Sequence, residues 1–141
     1  MTSLHGVLAA AALTAVVALP AAGQPAAVGA SNAWVAEPAP GASSTRAHLS
    51  IANPTMYDVY VVSASTDAAA RVTFRKGDDA EAGEVKELTV AAYGSLDLEP
   101  GGLSLELHDL RRPLAPGDTV TLTLRTDGGV TVTVDAIVRK R

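Results

Sequence analysis

No cysteine occurs among the 141 residues. That excludes disulfides, thiolate metal centres and a cysteine nucleophile, and it leaves no residue here for the lipid-bearing cysteine of a typical bacterial lipoprotein. Aromatic residues are also scarce, at 4% against 48% hydrophobic overall, so any core must be built from Val, Leu, Ile and Ala. Basic charge is thin. The net charge is -4, with no basic stripe and no acidic tail, which argues against a nucleic-acid partner. Charge of either sign is missing from the start of the chain, where the first such residue is Glu37. Helical periodicity is absent after residue 33.

Within that uncharged start, the apolar run from Gly6 to Leu19 is short for a membrane span and suits the hydrophobic part of a secretory signal. Small residues follow, so cleavage after Ala21-Ala22-Gly23 or after Val28-Gly29-Ala30 is expected. The leading "MTSLH" carries no lysine or arginine, which departs from the usual signal pattern, and an uncleaved N-terminal anchor is the main alternative. Residues 1–30 are therefore expected to be a signal or anchor with spacer, and residues 31–141 a single domain without a membrane span. The length allows one domain with a real core and not two. The expected location is periplasmic or extracellular.

What is present is strand grammar. Arg46 to Ala52 alternates, with Ala47, Leu49 and Ile51 expected inward and Arg46, His48 and Ser50 outward. Asn53-Pro54 breaks it, and "MYDVYVVSAST" resumes as a strand rich in Val and Tyr. "ARVTF" is another short strand, and "RKGDDAEAGEVKE" a long charged hairpin or loop. Ser95–Leu98 and Leu103–Leu107 flank Glu99-Pro100-Gly101-Gly102, which suggests a hairpin. "PLAPGD" is a further turn. "TVTLTLRT" and "VTVTVDAIV" surround Asp127-Gly128-Gly129, the strongest hairpin signal in the chain. Eight or nine short strands with regular turns predict an all-β antiparallel sandwich or small barrel.

The order of these segments resembles the periplasmic copper chaperone family known as PCu(A)C. The likeness rests on "AWVAEPAPGASSTRAHLSIANP", on "SASTDAAARVTF", and above all on "LEPGGLSLELHDLRRPLAPGDTVTLTL", and it runs from about Ala33 to Val134. It implies a cupredoxin-like β-barrel that carries one surface Cu(I) on two histidines and two methionines. Thioether and imidazole ligands suit Cu(I) in an oxidising compartment. The implied partner is a copper acceptor or an oxidase-assembly protein.

Carried over position by position, the resemblance puts the first histidine at or beside Arg75 and the next methionine near Val85 or Lys86. The closing His-x-Met falls on Ser104 and Glu106. None of these is a usual copper ligand, and the cations repel a metal ion. The resemblance therefore implies the fold, with its copper site degenerate and no cofactor assigned beyond Cu(I) through the family. Ser104, Glu106 and His108 are expected to form a solvated strand face, with Glu106 facing a basic residue across the sheet. A replacement metal set would draw on His108 with Met56 or His48, or on Glu106 and His108 with Asp109, Asp78 or Asp79.

Other chemistry finds little support. No Gly-x-Ser-x-Gly elbow or recognisable triad pattern is present, so an enzyme is not expected. Asp78, Asp79 and Glu81 lack the spacing of an EF-hand calcium loop. Trp34 is expected to plug the core or a barrel end, and Arg111-Arg112 to cap a turn. His5 belongs to the targeting segment. Two functions stay open: an exported copper-handling protein of this family, and a non-metal interaction module on the same scaffold.

Overall fold

A computed structural model describes residues 27–77 and 83–141. The described residues form ten strands: β1 (Gly29–Ala36), β2 (Thr45–Ala52), β3 (Val59–Thr66), β4 (Ala69–Lys76), β5 (Gly83–Val85), β6 (Leu88–Val90), β7 (Ser95–Leu98), β8 (Leu103–Leu110), β9 (Thr119–Thr126) and β10 (Thr131–Arg139). They lie in the order β5-β4-β8-β2-β1-β10-β9-β3-β6, with β7 also paired to β2. The outer strands of this order, β5 and β6, follow one another directly in the chain, so the sheet wraps into a nearly closed barrel. No helix among the described residues is long and apolar enough to cross a membrane.

The core is aliphatic, as the composition requires. Leu105 and Leu107 on β8, Leu49 and Ile51 on β2, Leu122 and Leu124 on β9, and Val61, Leu88 and Val138 are all within 2% of complete burial. Phe74 is the one buried Phe beside them. Alternation explains the pattern: inward residues of each strand meet across one interior while their neighbours face out. The β9–β10 hairpin closes as the sequence predicts, with Thr126 N–H donating to Val130 O and Gly129 in the left-handed region. The β4–β5 pairing likewise gives the predicted charged hairpin its base, with Arg75 opposite Glu84.

Three features differ from the sequence expectation. The segment Glu99–Gly102 does not close a hairpin. Both β7 and β8 run antiparallel to β2, β7 against Leu49–Ala52 and β8 against Thr45–Ala47, so they are successive pieces of one path. Gly101 at φ 86° and the Gly102 N–H to Glu99 O bond turn the chain tightly, and the four residues bulge out of that path. Second, β1 and β10 pair in parallel, which local turn signals do not reveal because the partners come from opposite ends of the chain. Third, Trp34 does not fill the core; it sits partly buried on the outer surface of β1, with the Arg139 guanidinium 5.0 Å from its ring. Residues 1–26 and 78–82, including His5, Asp78, Asp79 and Glu81, lie outside the described residues.

Asn53 is a corner that the sequence marked only as a break. It is 1% exposed. Its Nδ2 donates to the carbonyls of Tyr57, Val90 and Ala91, and its Oδ1 accepts from the Thr55 N–H and hydroxyl. A buried amide this fully partnered locks the β2–β3 turn to the end of β6.

Candidate functional site

Four strands meet on the outer face where the resemblance sets a metal. On β4 and β8 the cross-strand pairs are Arg75 with Ser104, Thr73 with Glu106 and Arg71 with His108. On the other side of β8, Arg46 of β2 is opposite Glu106. One step further along these strands, His48 and Ser104 share the same face, and Trp34 of β1 is opposite His48. Of the two positions named for the hairpin ligand, Val85 is paired with the buried Phe74 and packs against the core. Lys86, one residue on, is the exposed one. Of the positions the resemblance names, Arg75, Ser104 and Glu106 come together on one face of β4 and β8.

What they build is an ion pair. Arg75 Nη1 donates to Glu106 Oε2 at 2.9 Å, with the two side chains 24% and 16% exposed. The pair is diagonal across β4 and β8, the geometry that long side chains reach most easily on a shared face. His108 Nε2 lies 2.8 Å from the Thr73 hydroxyl and 4.0 Å from the same carboxylate oxygen. Arg46 donates through Nη1 to Gly77 O at 3.0 Å, tying β2 to the end of β4.

The face is not solvated in the way that alternation predicts. Ser104 is fully buried, and its hydroxyl and Arg75 Nε are buried without a hydrogen-bond partner among the described residues. Glu106 and His108 are half-buried. His48 is 4% exposed and not outward in the sense expected, because Trp34 covers it with ring centroids 4.5 Å apart. The physical reason is a second layer: the Trp34 ring roofs this part of β2, so an outward position is no longer a wet one.

The replacement metal sets do not assemble. Met56 is 62% exposed in the turn beyond the far end of β2. His108 is level with the start of that strand, since Thr45 pairs with Leu107. At about 3.4 Å per residue the intervening strand spans roughly 23 Å. His48 is level with Ser104, four residues or roughly 13 Å along β8 from His108. Asp109 is exposed at φ 55°, between His108 and Leu110, which pair with Arg71 and Ala69 of β4. No group of three or more His, Asp or Glu that could hold a metal occurs among the described residues. Arg111-Arg112 does secure a turn: Arg112 Nη2 donates to Thr119 O at 3.3 Å and lies 3.6 Å from Asp67.

At the position where a cation would sit, the chemistry runs the other way. Glu106 already accepts from Arg75, and Arg46 faces it from the opposite strand. A monovalent cation 4 Å from a guanidinium meets a repulsion of about 1 kcal/mol in water and about 4 kcal/mol at an effective dielectric of 20. Among the described residues no thioether stands nearby to offset it. The residues present do not fit Cu(I).

The architecture matches solved copper-chaperone domains. A copper-bound PCuAC domain from PmoF2 superposes with a TM-score of 0.72 at 18% identity, covering 81% of this chain and 93% of that one. The solution structure of Cu(I)-DR1885 from Deinococcus radiodurans superposes at 0.65 with 32% identity, covering 81% of this chain and 77% of that one. Apo-DR1885 from the same organism gives 0.63 at 31% identity, covering the whole of this chain and 97% of the other. The fold and the face together define a PCuAC-type β-barrel with a divergent metal face. Residues 28–138 match the family described as putative lipoprotein LpqE-like, and the chain belongs to that family. No curated protein matches the chain.

Proposed function

We propose that this protein is an exported, extracytoplasmic member of the copper-handling PCuAC family whose family face no longer holds Cu(I). The observation that carries the reading is the Arg75–Glu106 ion pair at 2.9 Å, which occupies two of the four ligand positions with opposite charges that satisfy each other. An ion pair links β4 to β8 as a bound metal would, so the barrel keeps its cross-strand tie without a cargo. Export is supported by the uncharged apolar start and by the family description as a lipoprotein, although none of these 141 residues is a cysteine.

The N-terminal segment is retained on this reading; were it cleaved, the point after Gly23 would be favoured. Cleavage after Ala30 removes Gly29 and Ala30, which pair with Ala52 and Ile51 at the start of β1. The role that remains for such a scaffold is interaction: it docks on a partner of the same extracytoplasmic pathway, for which the family resemblance suggests a copper acceptor or an oxidase-assembly protein. Competition with a strong Cu(I) chelator tests the reading. The purified chain should leave the chelator–copper complex intact at equimolar protein, and withdrawal of Cu(I) by the chain would contradict it.

A further inference from the structure

The two ends of the barrel differ in surface chemistry. One end is built by the turns at residues 53–58, 91–94 and 127–130 and by the entry of the chain at Ala27 and Val28. None of those turns contains a lysine or arginine. The other end carries the loops at 37–44 and 110–118 and the terminal Arg139-Lys140-Arg141, and so most of the exposed cations.

The first end also gathers most of the exposed large apolar side chains. Met56 is 62%, Tyr57 72%, Tyr93 73% and Val130 52% exposed. The turns that bear them are hydrogen-bonded to one another or to adjoining strands: Tyr93 N–H donates to Thr55 O, and Asp127 N–H to Tyr60 O. Tyr93 is held at φ 56°, a left-handed conformation that is strained for a bulky residue. The strain presents an aromatic ring to solvent, a placement that core packing does not require. The two acids in these turns are exposed and hydrogen-bonded to neighbouring backbone, with Asp58 Oδ1 accepting from Ala92 N–H and Asp127 Oδ1 from Tyr60 N–H. Beside them Ala27, Val28, Val59 and Val130 line an apolar depression.

The chain enters at that depression. The residues before Ala27 contain no Asp, Glu, Lys or Arg and include the apolar run ending at Leu19. Seven residues lie between Leu19 and Ala27, eight steps of the chain with a reach of at most about 29 Å. We propose that this end of the barrel docks on the surface of a lipid bilayer, with Met56, Tyr57, Tyr93 and Val130 seated at the headgroup boundary. Tyrosines suit that boundary because the ring is apolar and the hydroxyl wet. The turns themselves carry no lysine or arginine, so a zwitterionic surface is the matching one. The proposal rests on the export part of the reading above and is independent of the state of the copper face.

The absence of cysteine makes the test clean. The full chain carrying Tyr57→Cys or, at the opposite end, Ala42→Cys is labelled with an environment-sensitive fluorophore and reconstituted with phosphatidylcholine vesicles containing a bilayer-borne quencher. Quenching at position 57 should exceed that at position 42 several-fold. It should fall to the level of position 42 when Met56→Ser, Tyr93→Ser and Val130→Ser are added to the position-57 variant. Equal quenching at both positions, or no loss in the serine background, overturns the proposal. So does a shift at position 57 that grows with protein concentration in the absence of lipid, which assigns the patch to a second copy.

Discussion

The two faces of β8 share a backbone and differ in what they specify. Inward, Leu105 and Leu107 are completely buried among aliphatic side chains. Outward, Ser104 and Glu106 fall where the resemblance sets ligands, with His108 beside them, and here they meet arginine, threonine and a tryptophan-roofed histidine. The inner face needs only apolar volume, and many sequences supply it. The outer face needs particular ligands, and on the reading proposed above the barrel persists without them. A fold can therefore outlast its site, with packing on one face and charge pairing on the other.

Substitutions along the strand separate the two faces, and the inner one should dominate. Leu107→Ala opens a cavity in the interior and is expected to cost about 2–5 kcal/mol, read as a lower midpoint in chemical denaturation. Next comes the roof over His48. Trp34→Ala removes the ring that covers it and the Arg139 contact, at about 1–3 kcal/mol, and the same variant should raise solvent access to the imidazole in hydrogen-exchange NMR.

The ion pair comes third. Arg75→Met leaves a half-buried carboxylate without its partner and should cost about 1–2 kcal/mol, below the figure for a fully buried pair because both groups still touch solvent. Adding Glu106→Met should recover most of that loss. A double-mutant cycle with no coupling would show that the pair does not tie β4 to β8. The smallest effect belongs to Ser104→Ala, which removes a buried hydroxyl that has no partner among the described residues. Its midpoint should stay within about 0.5 kcal/mol of the parent or rise slightly.

Much of the barrel was legible because turn chemistry and period-2 alternation are local. Asp127-Gly128-Gly129 and the Thr/Val alternation around it identify β9 and β10 without knowledge of the rest. Where partners lie far apart in sequence, the same rules fail. Glu99–Gly102 looks like a hairpin turn, yet whether two strands pair with each other or with a third depends on β2, some fifty residues earlier. The parallel β1–β10 pair has no local signature at all. At the site, residue identities at Arg75, Ser104 and Glu106 were readable, and so was a basic partner for Glu106. The burial of His48 was not, since alternation assigns a direction to a side chain and says nothing of what stands over it. Alternation equally could not choose between Val85 and Lys86, because the strand phase there is set by pairing with β4.

The most direct test compares the native chain with a variant in which the ligand set is rebuilt on the outer face: Arg75→His, Lys86→Met, Ser104→His and Glu106→Met. Both are titrated with Cu(I) against a strong competing chelator under anaerobic conditions. The account predicts that the rebuilt variant withdraws one equivalent of copper while the native chain withdraws none. Copper binding by the native chain as tight as that of the variant would contradict it.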